Sequence, residues 1–415
     1  MKPAFTYRSF RLCPHLTSRT FAPLRPFAFL LLVLPALPLL TPAPLSAAPA
    51  PAASPVISGQ LLLDLPPVPG NPRNSEGAFA TLKDGRILFV YSHFLGTSSA
   101  DAAKARLAAR TSADGGTTWS ADRFIDIPEE DTVMNVMSVS LLRHANGDLG
   151  IFYLLRRSWH DMRMYCRRST DEGLTWSMPV RCMPAPGYYV VNNDRIVRLK
   201  SGRLVIPAAL HRALGERNEA SAVDWRGVAE FYLSDDDGRT WRRASGYATL
   251  PVAHTRSGLQ EPGLIELRDG VLWAWARTDL GRQYEFFSHD GGETWSAPAP
   301  SRFTSPNSPL SLKQLPGSGK LLAVWNPGPA YETRPVSRIG GDRTPLVLAT
   351  GDSPAGRWSR VAILEGHDRN DAGYCYTAIH FTADAVLLAY CAGGDEDRSR
   401  LARLRLRRIP LSALP

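Results

Sequence analysis

One short motif, Ser-x-Asp-x-Gly-x-Thr-Trp, recurs along this chain, and a chain written in such copies folds as a repeat. It stands at Ser112-Asp114-Gly116-Thr118-Trp119, Ser169-Asp171-Gly173-Thr175-Trp176, Ser234-Asp236-Gly238-Thr240-Trp241 and Ser288-Asp290-Gly292-Thr294-Trp295. A decayed fifth copy keeps Thr350, Asp352, Gly356 and Trp358. The tryptophans step by 57, 65, 54 and 63 residues. Each motif follows an apolar run such as Glu285-Phe286-Phe287. Asp and Gly are turn formers, and an Asp carboxylate at a turn accepts backbone amides across it. Thr-Trp then opens the next strand, with the indole packed under the turn. An Asp-rich loop also raises calcium, but the spacing lacks the ligand series of a calcium loop. The motif therefore reads as a structural turn.

A second signal interleaves with the first: apolar run, glycine turn, apolar run. It occurs at Lys83-Asp84-Gly85-Arg86, Ala145-Asn146-Gly147-Asp148, Lys200-Ser201-Gly202-Arg203 and Arg268-Asp269-Gly270. Looser copies lie at Gly317 to Lys320 and at Ala383 to Ala385. These are hairpin signals. They predict six inner hairpins beside five outer ones, hence four short strands per repeat. No segment carries sustained helical periodicity. The 367 residues after Ala48 divide by a period of about 60 into six. The expected fold is all-β, a six-bladed β-propeller with four antiparallel strands per blade, occupying residues 59–415 as one domain. A seven-bladed ring is the competing count. The 44% hydrophobic content suffices to bury the faces between blades.

Residues 1–48 read as an address. Lys2, Arg8, Arg11, Arg19 and Arg25 precede the apolar run Phe27 to Leu40 and then Ser46-Ala47-Ala48, the order of a secretory signal. Pro35 and Pro38 break the run, which is short for a membrane span; an uncleaved anchor is the competing reading. A Pro/Ala linker follows over 49–58. The expectation is an exported protein, periplasmic or extracellular, with no stable membrane insertion. In that oxidising setting Cys166 with Cys182, and Cys375 with Cys391, either bridge across hairpins or remain two free buried pairs. Net charge is +9, but the N-terminal cations carry part of it. Only the arginines between Arg398 and Arg408 form a cluster, so nucleic acid is not the expected partner.

Inner strands of a propeller begin at one face, around the axis. Counting nine residues back from each inner turn lands on Glu76, Asn193, Glu261 and Tyr376. Two carboxylates, an amide and a phenol thus converge on one axial site, or else line a wet channel. The histidines His93, His160, His211, His254, His367 and His380 show no two-His metal spacing. There is no glycine-rich phosphate loop and no Gly-x-Ser-x-Gly elbow. No cofactor is expected.

The Asp-box repeat on this period resembles the sialidase superfamily over nearly the whole chain after about residue 60. Glu261-Pro262-Gly263-Leu264-Ile265-Glu266-Leu267 resembles the family's Glu segment, which implies that Glu261 is the base for the nucleophile. Tyr376-Thr377-Ala378-Ile379 resembles the segment that carries the nucleophilic tyrosine, with Tyr374 as a backup facing the same way. Arg277, sixteen residues after Glu261, and Arg343, after Asn326-Pro327, resemble the second and third pocket arginines. Asp101 stands where the family places its acid. The implied chemistry is consistent with these residue types. Paired guanidiniums bind a carboxylate bidentately. A neutral phenol approaches an anionic sugar with less repulsion than a carboxylate does, a neighbouring Glu takes its proton, and an Asp protonates the leaving oxygen.

One departure bears on the substrate. Where the family's first blade carries Arg-Ile-Pro, this chain reads Arg73-Asn74-Ser75-Glu76-Gly77, so the arginine's slot holds Ser75 or Glu76, with Arg73 displaced by two residues; a Glu there would repel a bound carboxylate. In the third blade, Val191-Asn192-Asn193-Asp194-Arg195 adds polar groups at the pocket rim. The resemblance implies a monomeric, secreted exo-glycosidase of sialidase type. Its substrate would be a glycan ending in an acidic sugar, sialic acid or similar. The competing readings are a glycosidase or lyase for another sugar that uses Glu76, and a non-catalytic glycan-binding propeller.

Overall fold

A computed structural model describes residues 54–57, 59–251, 254–328, 342–367 and 371–415. The expected signal at 1–48 lies outside them. The described chain is all-β, its strands grouped in antiparallel units of four. The first holds Asn74–Thr81, Ile87–Phe94, Ala105–Ser112 and Arg123–Phe124. The second holds Asn135–Arg143, Leu149–Ser158, Asp161–Ser169 and Val180–Arg181. In the third, a broken innermost strand, Tyr188–Val190 and Val197–Arg198, pairs with Leu204–His211, followed by Val228–Ser234 and Arg242–Arg243. The fourth runs from Gln260–Glu266 to Ala299–Thr304, and the fifth from Ser311–Gln314 to Ala362–Glu365. The sixth takes Cys375–Phe381, Ala385–Cys391 and Leu404–Pro410 from the C-terminal end, and its outer strand, Gln60–Leu65, from the other. Pairing the first strand with the last ties the two ends of this body together.

The second and third units are not separate sheets. A parallel pairing of Tyr188 with Met162 joins them into one nine-stranded sheet, which departs from the expected six independent blades. Its physical basis is the break at Val191 to Ile196: the short outlying piece Tyr188–Val190 is free to lean onto its neighbour.

Apolar faces between units form the core, and the six large clusters among the described residues each span two successive units. Leu88 and Val90 meet Ile151 and Tyr153; Phe152 and Leu154 meet Ile206 and Tyr232. Val205 and Phe231 meet Leu272 and Phe286; Trp273 and Trp275 meet Leu321 and Val347. Leu322 and Leu348 meet Val386 and Leu388, and Leu387 and Leu406 of the sixth unit meet Phe89 of the first.

The repeated motif folds as its chemistry demands. All four intact copies connect the third and fourth strands of a unit. Asp114 accepts the amides of Thr117 and Thr118 at 3.0 and 2.8 Å and the Thr118 hydroxyl at 2.7 Å, while Ser112 Oγ accepts Gly116 N. The indoles of Trp119 and Trp241 donate back to the turn carbonyls of Gly116 and Gly238. The expected linker includes chain that pairs: Val56 bridges Ile363, and Ile57 N donates to Ile363 O at 2.8 Å. The C-terminal arginines are engaged, Arg403 with Asp397 and Asp64, Arg405 with Asp64, and Arg407 with Glu365. No helix of the described residues is long and apolar enough to cross a membrane.

Candidate active site

Four innermost strands carry the same defect at the same place. Their pairing registers slip between Ser75 and Ala78, Met137 and Ser140, Gln260 and Gly263, and Cys375 and Ala378. At each slip a non-glycine residue turns left-handed: Glu76 (φ 55°), Ser138 (55°), Glu261 (46°) and Tyr376 (58°). Such a bulge breaks the in–out alternation and re-aims a side chain, at a cost of about 1–3 kcal/mol per strained residue. Gly77 after Glu76 is required, since a Cβ there would meet the Phe89 ring at 2.3 Å. Counting back nine residues located three of these bulges, at Glu76, Glu261 and Tyr376. It also reaches Ser138 from Gly147, a position the sequence reading passed over.

A cavity of about 270 Å³ is lined by Glu76, Ser138, Glu261 and Tyr376 together with Asp101, Arg277 and Asn192. The Tyr376 hydroxyl donates to Glu261 Oε1 at 3.2 Å, and Arg277 Nη2 donates to the same oxygen at 2.9 Å. Among the described residues, Glu261 Oε2 is buried with no partner. Arg343 lies behind this group, its guanidinium 5.5 Å from the Tyr376 ring centroid, donating to Asn307 O at 3.1 Å and to Cys375 Sγ at 3.2 Å. Arg73 is fully buried. It holds Asp101 and lies 3.6 Å from Glu76, while Ser138 Oγ donates to Glu76 Oε2 at 3.2 Å.

These environments separate the carboxylates. Burial pushes the Glu76 carboxyl up to about 7, Arg73 opposing and the charges of Asp101 and Glu261 adding. Burial also acts to raise Asp101, but Arg73, with Arg156 and Arg343, holds it below the usual carboxylate range. Its side chain is 60% exposed, at the cavity mouth. Tyr376 is pushed above the usual phenol range by burial and by the Glu261 charge, with Arg277 and Arg343 opposing.

The remaining expected site residues lie elsewhere. Asn193 and Arg195 are buried and do not line the cavity. The third innermost strand breaks after Val190, and its left-handed residue is Asp194 (φ 57°), one place later than the counting rule requires. Asn192 therefore faces the cavity. Asn193 Nδ2 donates to Gly77 O at 2.7 Å and Tyr376 O at 3.3 Å, bracing two bulges. Arg195 donates to Leu310 O at 2.7 Å, and burial pulls its pKa down to about 10. Tyr374 is fully buried in the core shared by the fifth and sixth units, because the bulge at Tyr376 cancels the alternation that would align the two tyrosines. All four described cysteines are free and buried, so neither candidate disulfide is present. Cys375 is paired directly across from Cys391, and Cys166 is paired with Val180.

The opposite wall was missed by the sequence reading. It consists of Trp159, stacked on Tyr188 (centroids 5.7 Å, planes 19° apart), Trp225, His211 and Arg156. Arg156 is buried and donates to the Asp101 carbonyl. Burial pulls His211 down to about 4, so it is neutral at pH 7. No periodic motif marks these positions; Trp225 belongs to a segment inserted between two strands.

An all-β repeat fold with a polar cavity built on bulged inner strands defines a sialidase-like protein. The family model described as the BNR repeat-like domain matches residues 129–386, and the chain belongs to that family. Among solved structures, the Hadza microbial sialidase Hz136 is similar (TM-score 0.63, 16% identity, 83% of this chain and 67% of that one). So are the NanB sialidase of Streptococcus pneumoniae (0.62, 14%, 86% and 71%) and the intramolecular trans-sialidase of Ruminococcus gnavus (0.60, 15%, 82% and 95%). A protein of unknown function from Dyadobacter fermentans is similar at 0.59 and 18%, over 84% and 99%. At these identities the likeness is one of fold. A comparison with curated proteins gives no match.

Proposed function

We propose that this protein is a retaining exo-glycosidase acting on glycans outside the cytoplasm, with Tyr376 as nucleophile and Glu261 as its base. The observation that carries this reading is the Tyr376–Glu261–Arg277 chain, held in one cavity by two strained bulges. Tyr376 Oη would bond to the anomeric carbon as its proton passes to Glu261, and the departing glycosidic oxygen would take a proton from an acid across the cavity. Water would then release the sugar from the phenol. Asp101, at the mouth, is the acid that the family resemblance implies. We infer also that the six units close into a six-bladed propeller, supported by the cores that join each unit to the next and the last to the first.

An acidic sugar would meet Arg277 and Arg156, the guanidiniums lining the cavity among the described residues, with Arg343 behind. A second reading is favoured by Glu76. It occupies the slot of an anion-binding arginine, is buried, and titrates near neutrality, so it suits a sugar that presents a hydroxyl or amino group, or itself serves as the acid. The test is a panel of 4-methylumbelliferyl glycosides, sialoside and neutral sugars together, assayed with wild type and Tyr376→Phe. Turnover of a sialoside that Tyr376→Phe abolishes supports the first reading; turnover confined to neutral sugars supports the second. Absence of turnover on all, with glycan binding retained, leaves a binding propeller.

A further inference from the structure

The cavity does not end at the reacting groups. Trp225 lines it, and the same residue lines a neighbouring groove of about 610 Å³ whose other walls include Arg226, Thr255, Arg256 and Asp279. Although Trp225 packs edge-on against Trp159 and Tyr188, 42% of it remains exposed. Large exposed aromatic faces beside a polar cleft are uncommon unless something covers them.

The indole is also fixed in place. Asp224 binds Arg226 through both oxygens, at 2.8 and 3.0 Å, and takes Arg212 Nη2 at 2.8 Å. Gln260 of the fourth unit donates to the Trp225 carbonyl at 2.8 Å, and Asn218, on the same inserted segment, accepts Trp159 N of the second unit at 2.8 Å. Three units thus hold one aromatic face at the junction of cavity and groove. A preorganised platform binds with less loss of side-chain entropy.

Building on the glycosidase reading, we propose that Trp225 and this groove form a leaving-group subsite, in which a neutral sugar on the aglycone side stacks on the indole. Carbohydrate is favoured over peptide or lipid as the occupant because the groove pairs one apolar face with an opposing rim of donors and acceptors. A pyranose matches this, with C–H groups on its faces and hydroxyls at its edge.

The test uses the full mature chain in two arms. In the first, kcat/KM is measured on two substrates sharing one terminal sugar, one with a methylumbelliferyl leaving group and one with a disaccharide leaving group. Trp225→Ala is expected to lower the disaccharide-to-aryl ratio at least tenfold, with Trp225→Phe restoring most of it and Arg256→Ala lowering it less. In the second, free lactose, N-acetyllactosamine, cellobiose and maltose are titrated against Tyr376→Phe protein, with and without Trp225→Ala, by calorimetry. At least one should bind, and the added substitution should weaken it at least tenfold. If Tyr376-dependent hydrolysis occurs while the ratio is unchanged and no disaccharide binds, the subsite is overturned and the glycosidase reading survives. If no glycoside is hydrolysed but disaccharide binding depends on Trp225, the subsite stands and the catalytic reading falls.

Discussion

The outer turns and the inner bulges use the same materials, carboxylates and left-handed residues, to opposite ends. In the outer turns Asp114 takes all its donors from Ser112 to Thr118, and that local set holds its carboxyl down to about 2, backbone and hydroxyl of Thr118 leading. Glu172 and Asp237, left-handed there, lie in an ordinary tight turn and contribute to ion pairs with Arg143 and Arg198. In the inner bulges, Glu76 and Glu261 draw on Ser138 and Tyr376, 62 and 115 residues distant, and Glu261 Oε2 is left without a partner among the described residues. A carboxylate satisfied by its own turn is a structural part. One buried in strained backbone, with a spare oxygen facing a cavity, is available to a substrate.

This contrast can be broken experimentally. The largest effect is expected at the bulges: Tyr376→Phe should lower kcat/KM on whichever aryl glycoside is hydrolysed by about 10³-fold or more with the fold intact. A loss below tenfold would remove Tyr376 from the reaction. On the rim, Trp241→Ala should cost about 3–4 kcal/mol in denaturant unfolding, since that indole is buried and bonded to Gly238 O. Trp176→Ala should cost clearly less, because Trp176 is only partly buried. Equal losses would mean that the copies are not graded by burial.

Glu76→Gln separates the regions by pH. Because Glu76 is raised from 4.5 to about 7 in the folded chain, its contribution is fully present below 4.5 and is lost as pH rises through about 7. The Gln variant should therefore gain on wild type over that window, by roughly 3 kcal/mol at pH 8. A pH-independent difference would show that Glu76 is not a buried acid. The smallest effect is at a turn carboxylate: Asp236→Ala should cost about 1–2 kcal/mol at pH 7 for its lost hydrogen bonds. The sign is opposite to that of Glu76. The Asp-box carboxyls, Asp236 among them, are held below their usual value of 3.8, so their contribution is present above it and fades as pH falls below it, down to about 2 for Asp114 and Asp171. If acid leaves the difference between wild type and Asp236→Ala unchanged, those hydrogen bonds are not to the ionised form.

Much of this architecture was legible in the chain. Asp-box turns, inner hairpins and the positions of Glu76, Glu261 and Tyr376 follow from short-range chemistry repeated at a period, because a turn is closed by residues within one another's reach. The sequence also marked Arg73 as the displaced arginine of its segment. Only the tertiary structure could decide that this guanidinium would be spent on Asp101 and Glu76 rather than offered to a ligand. The break in the third innermost strand, which turned Asn192 to the cavity and Asn193 to the carbonyls of Gly77 and Tyr376, was likewise invisible, as was the wall of Trp159, Tyr188 and Trp225. These features depend on partners that are remote in the chain, and which donor meets which acceptor across an axis is settled by packing.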